Sequence, residues 1–192
     1  MSTKVFSKAL MASEDVQSYV GTCKFGAGSA PFVEAEITDG AFVVLGDLVK
    51  DNVYSQTSLE WNTYSATAPA ADTATPVVID IAGVQEGVIG GNAYRIGNKL
   101  VDLTASAGTP VRFRRLMPGD KFWLGAGCFE SAPTVGKYAK LTATKVTLTA
   151  ADTAPSGKFC VKILASKDLT VGQSVTEVST NVYEQLYLCE VL

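Results

Sequence analysis

The chain has 192 residues, 47% of them apolar and 18% charged, with a mean hydropathy of +0.19. It is long enough to bury a core without help from metal or disulfides, and its low charge suits a subunit that covers part of its surface against a partner. Histidine is absent, which removes Ser-His and Cys-His pairs and most catalytic zinc sites, while carboxylate, lysine and tyrosine chemistry stays open. The net charge of −3 is unevenly spread: residues 1–96 carry five Lys/Arg and eleven Asp/Glu, residues 97–192 eleven and eight. That split allows head-to-tail contacts between copies and lacks the concentrated basic surface of a nucleic-acid binder.

Residues 1–30 read as an extended N-terminal arm. Val5, Phe6, Leu10, Met11, Val16 and Tyr19 have a partial helical spacing, and a helix of two or three turns is the alternative, but Gly21, Gly26 and Gly28 follow closely. The arm is too apolar for a disordered tail and too glycine-rich to bury much by itself. Phe6, Leu10 and Met11 are therefore candidate partner-binding side chains that gain order on contact. Residues 31–192 form the β-rich domain, with room for two packed sub-lobes. Phe32–Ile37 alternates apolar and acidic residues, Asp39-Gly40 is a hairpin turn signal, and Ala41–Leu45 is apolar on both faces, as a strand inside a sandwich or barrel is.

An Ala/Thr/Pro loop over residues 66–76 leads to a strand at Val77–Ile81. The glycine-rich run 83–98 lacks the Gly-Lys-Ser/Thr of a phosphate loop and the helix of a dinucleotide fingerprint, so its glycines read as turns or bulges between short strands. Over 109–130, Val111 and Phe113 alternate with Arg112 and Arg114. Met117-Pro118-Gly119-Asp120 has type II turn chemistry, and Phe122-Trp123-Leu124 reads as a core strand, so the stretch reads as a hairpin. Arg112, Arg114 and Arg115 form a cluster on its polar edge and are the second set of candidate partner-binding residues. Gly119, Gly136 and Gly157 each precede lysine and an aromatic within three residues, a recurring strand entry. Leu141–Thr149, Phe159–Leu164 and Tyr183–Leu192 supply further strands. Strands at short intervals with Gly/Pro turns predict an all-β protein, an antiparallel β-sandwich or barrel-like domain.

Cys23, Cys128, Cys160 and Cys189 are far apart, and apolar residues flank most of them. They read as buried free thiols, of which Cys128, Cys160 and Cys189 are expected to react slowly. The first residues lack the apolar run of a secretory signal and no run is long enough to span a bilayer, which predicts synthesis in a reducing cytoplasm and no membrane partner. Nominal acid pairs are Asp80 with Glu86 and Asp120 with Glu130, but nothing fixes either at glycosidase spacing. The chain thus reads as a non-enzyme with no cofactor and no metal. Trp61, Tyr64 and Tyr94 are the stacking platforms a carbohydrate- or receptor-binding module would use; core or interface packing is the plainer role.

From about Asp47 onward the chain resembles head decoration and related capsid structural proteins of tailed bacteriophages. The likeness lies in NAYRIGNKLVDLTASAGTPVRFRRLMPGDKFWLGAGCFE and VGKYAKLTATKVTLTAADTAPSGKFCVKILASKDLTVG, where a glycine turn leads into a Lys-aromatic strand, a Thr/Ala-rich strand and a second hairpin. The resemblance implies a structural virion protein made in the host cytoplasm, a cement subunit that binds the outer surface of an icosahedral head. Its partners would be the major capsid protein and copies of itself, a trimer being favoured, with no nucleic acid. The alternative is a carbohydrate- or receptor-binding β module of a fibre or tail.

Overall fold

The computed structural model describes residue 4 and residues 6–11, 19–28, 32–49, 63–81, 85–89, 92–96, 104–173 and 181–192. These are strands, turns and short 3-10 helix, and the protein is all-β. The strands in chain order are β1 (Phe6–Leu10), β2 (Val20–Ala27), β3 (Val33–Glu34), β4 (Ile37–Thr38), β5 (Phe42–Leu48) and β6 (Thr63–Thr67). Next come β7 (Val77–Ile79), β8 (Gln85–Ile89), β9 (Asn92–Ile96), β10 (Thr104–Ala105) and β11 (Val111–Arg115). The last are β12 (Lys121–Gly125), β13 (Tyr138–Leu141), β14 (Leu148–Ala151), β15 (Cys160–Gln173) and β16 (Asn181–Val191).

Strands β2, β6, β5, β7 and β11 hydrogen-bond in that order, and β11 pairs back onto β2, so five strands close into a barrel. Only β2–β6 is parallel in this ring. The interior is filled by small and branched side chains, among them Cys23, Val43, Ala66, Val77 and Ile79, around one large ring, Phe113. A barrel this narrow needs one position without a side chain opposite that ring. Gly21 is the cross-strand partner of Phe113, and a Cβ there would lie 2.6 Å from its ring.

The second layer is a six-stranded sheet in the order β1-β12-β16-β15-β13-β14. Its inner face presents Phe6, Phe122, Leu124, Leu141, Leu148 and Ile163, which share a core with Phe42 and Val78 from the outside of the barrel. Strands β5 and β7 are thus buried on both faces: Phe42 and Val78 point to the sheet, Val43 and Val77 into the barrel. This is the physical reason the 41–45 segment is apolar without alternation.

Four expectations change. The stretch 109–130 is not a hairpin. Its type II turn is present, with Gly119 at φ +91° and the Asp120 amide donating to the Met117 carbonyl at 3.0 Å. However, β11 belongs to the barrel and β12 to the sheet, because Phe113 and Phe122 fill different cores. The Asp39-Gly40 turn is also present (Gly40 φ +68°), yet β4 pairs with β10 and β5 with β6 and β7. Leu141–Thr149 is a hairpin, β13–β14, with Leu141 opposite Leu148 and Thr144 at φ +65° in the turn. Finally, the described part of residues 1–30 is not a separate arm: β2 closes the barrel and β1 forms an edge of the sheet, with Phe6 and Met11 buried in the shared core. Within the glycine-rich run β8 and β9 pair antiparallel, with Gly87 opposite Tyr94 inside the ladder; the other glycines, expected at turns or bulges, lie outside the described residues.

Candidate docking surface

Alternation within the sheet sets what its outer face carries. Phe122 and Leu124 point inward, so Trp123 points outward and is half-buried, a correction to its expected place in the core. Its cross-strand neighbours are Ser7 and Leu188. The Lys167 ammonium lies 4.2 Å from the Trp123 ring centroid, a cation–π contact. One row away, register places Lys121, Glu190, Lys162 and Tyr138 side by side on four strands. Lys121 and Glu190 approach to 3.5 Å. The outer face is therefore an apolar patch within a mostly basic row. Simple period-2 reading of 121–125 would have found it, had the strand not looked uniformly apolar.

The longest hairpin is β15–β16, whose register runs from Val161–Val191 out to Gln173–Asn181 with two irregularities. Only its base is flanked: β13 pairs with residues 160–162 and β12 with residues 186–190. Beyond Ala165 on β15 and before Leu186 on β16, it is a two-stranded ribbon with no further strand partner among the described residues. Lys167 on Trp123 ties the ribbon's root to the sheet.

The candidate arginines come together but are committed internally. Arg114 donates through Nε to Asp80 Oδ2 at 2.7 Å, with its side chain only 5% exposed, and Arg112 Nη2 reaches the same oxygen at 2.8 Å. Arg115 lies 5.8 Å from the Phe113 ring. Of the three, Arg112 is the one with substantial exposure, 46%. Arg114 Nη1 is buried without a partner among the described residues. Phe6 and Met11 are likewise buried, and the Leu10 side chain lies outside what the structure describes.

Beside this cluster is a residue that the sequence marks only as part of a turn. Asp39, in the turn before β5, accepts the Phe6 amide at 2.8 Å and the Ile81 amide at 2.7 Å. It joins the first strand of the sheet to the end of β7. Burial pushes its carboxyl up to about 7, against the pull of those two amides, and the negative charge of Asp80 adds to the rise. An aspartate preceding glycine reads as a turn residue, and nothing local reveals a clasp across 33 positions of sequence.

The nominal acid pairs are otherwise engaged. Asp120 is fully buried and accepts the Met117 amide at 2.8 Å, closing its turn. Glu130 accepts from Thr147 and Lys145, which hold its carboxyl below the usual range, and the Glu86 side chain lies outside the described residues. Among the described residues no three Cys, Asp or Glu side chains converge as a metal site would need. Tyr64 packs edge-on against Phe113 at 6.0 Å and lines the barrel; Trp61 and the Tyr94 side chain are outside the described residues. All four cysteines are buried, and none of them is in a disulfide. Burial pushes the Cys23 thiol up to about 12 and also raises those of Cys160 and Cys189.

An open cleft of about 490 Å³ lies between the 73–75 loop, Leu116, Phe159 and the final residues Val191 and Leu192. Lys158, in ion pair with Asp72 at 2.5 Å, borders it. It holds no convergent polar groups of the kind that orient a small ligand. Comparison with protein-family models, curated proteins and solved structures returns no match.

Proposed function

We propose that this chain is a structural virion protein, a decoration subunit that binds the outer surface of an icosahedral phage head and reinforces it, with the β15–β16 ribbon as its docking element. The observation that carries this reading is the ribbon. A two-stranded hairpin is marginal in water by itself. This one continues past both flanking strands, so beyond them neither of its strands has a further strand partner on its outer edge among the described residues. Such edges recruit another chain, and soluble proteins usually cover or blunt them unless a partner is meant to pair there. The rest of the molecule suits the role: a barrel and a sheet locked by one shared core give a stiff body from which the ribbon extends. The resemblance of residues 47–192 to head decoration proteins points the same way.

The test is retention on shells. Purified protein is mixed with empty heads assembled from the major capsid protein encoded in the same genome, then sedimented. Co-sedimentation is expected for the intact chain and its loss when residues 169–184 are replaced by an Asn-Gly turn, which leaves the paired Asp168 and Gln185 on either side of it. A chain that never sediments with shells overturns the decoration reading. Retention unaffected by the shortened ribbon removes the ribbon from it.

A further inference from the structure

Two surfaces of the molecule complement each other and face opposite ways. One is the outer face of the six-stranded sheet, with Trp123 and Leu188 at its centre and Lys121, Lys162 and Lys167 around them. The other flanks β2 and β6 on the barrel. Val33 on β3 and Leu48 at the end of β5 are 61% and 45% exposed, and Glu34, Glu36 and Asp47 beside them are exposed too. These residues belong to one neighbourhood. Lys24 Nζ lies 3.6 Å from Glu34, the cross-strand neighbour of Lys24 is Ser65, and Ser65 donates to the Asp47 carbonyl at 2.9 Å. In the barrel ring, β2 and β6 are the two strands that do not neighbour β7, and β7 packs Val78 against the sheet. Asp47 and Leu48 are at the end of β5 remote from Phe42, the residue by which that strand packs on the sheet, so the acidic margin lies away from the sheet, and the basic face lies on the far side of the sheet from the barrel.

We propose that the chain associates with a second copy of itself head to tail, the acidic margin of one barrel seated on the basic outer face of the next molecule's sheet. Each surface has an apolar centre and opposite charge, the arrangement that fixes register and partner. Because the two point apart, one chain cannot satisfy both, and a two-fold dimer would set like against like. The contact is heterologous and propagates into rings or open chains. A polyphosphate is a poorer occupant: Glu190 interrupts the lysine row, and the whole chain carries −3. The contact belongs to the isolated chain and does not depend on shell binding.

Sedimentation velocity over a concentration series, at low and high salt, tests this. The wild type is expected to form species larger than a monomer, as rings or chains, that dissociate as salt rises. Lys162→Glu with Lys167→Glu on the face, and Glu36→Lys with Asp47→Lys on the margin, should each weaken association roughly tenfold or more. Mixing the two charge variants should restore it, since the intact face of one meets the intact margin of the other. Leu48→Ser, which changes no charge, should also weaken it, and circular dichroism of each variant verifies folding. A wild type that stays monomeric throughout overturns the proposal. So does loss in the face variant with full association in the margin variant, which indicates a face-to-face dimer, and so does a mixture that fails to reassociate.

Discussion

Asp39 makes the pH dependence of stability a sharp test of how the two layers are joined. Its side chain belongs to a residue only 2% exposed and accepts one amide from β1 and one from beyond β7. Burial, the largest influence, holds the folded-state value at about 7, whereas in the unfolded chain it is about 3.9. The protonated form is thus favoured in the native protein. Its contribution is complete below about pH 4 and is lost as pH rises to about 7, a total drop on the order of 4 kcal/mol. In Asp39→Asn this slope disappears. The amide side chain offers one acceptor, so one buried N–H meets an NH2 group, an unmet donor costing roughly 1–3 kcal/mol. The variant is expected to be less stable than wild type near pH 5, and the gap to narrow or invert near pH 8, where the wild type carries a buried charge. Urea unfolding of both proteins across this range reads the difference directly. It also cancels the acid-side contributions of Asp72 and Glu130, whose carboxyls are held low by Lys158 and by Thr147 with Lys145. A difference in stability that stays constant from pH 5 to 8 would show that Asp39 is not buried as a clasp.

Other consequences follow from the packing. Deleting residues 2–11 removes Phe6 and Met11 from the shared core and the amide bound by Asp39; the truncated chain should melt well below the full one, and an unchanged melting temperature would make β1 dispensable. Phe6→Ala alone should cost about 3 kcal/mol in denaturant unfolding. Gly21→Ala forces a Cβ to within 2.6 Å of the Phe113 ring and should destabilise by roughly 1–3 kcal/mol, whereas Gly21→Ala paired with Phe113→Leu should recover part of that loss. Cys23 and Cys189 should resist a thiol reagent in the native protein, since both are wholly buried with their pKa values raised; rapid modification of either without denaturant would contradict the packing described.

The sequence by itself determined the local chemistry of this protein. Period-2 alternation marks the strand around Val111 and a continuous apolar run the one around Val77, and the residues at Asp39-Gly40 and Met117–Asp120 specify turns that are present. Gly119, Gly136 and Gly157 all have positive φ with open space where a Cβ would be, so conformation alone requires them, and they precede β12, β13 and β15 of one sheet. These features depend on a few neighbouring residues, which is why they were legible. Partner choice was not. A turn fixes the path of the chain for four residues, but which strand pairs next depends on which core its apolar face can fill. Phe113 and Phe122, nine positions apart, fill two different cores, so a turn that reads as a hairpin is a crossing between layers. The same holds for the candidate residues. Arginines on a strand's polar edge read as a binding face, yet a single carboxylate, Asp80, 34 positions before Arg114, engages Arg112 and Arg114 internally. Trp123, which looked like core, faces outward because its two neighbours take the inward positions. Burial and ion pairing at these positions are set by groups distant in the chain, and only the tertiary structure brings those groups together.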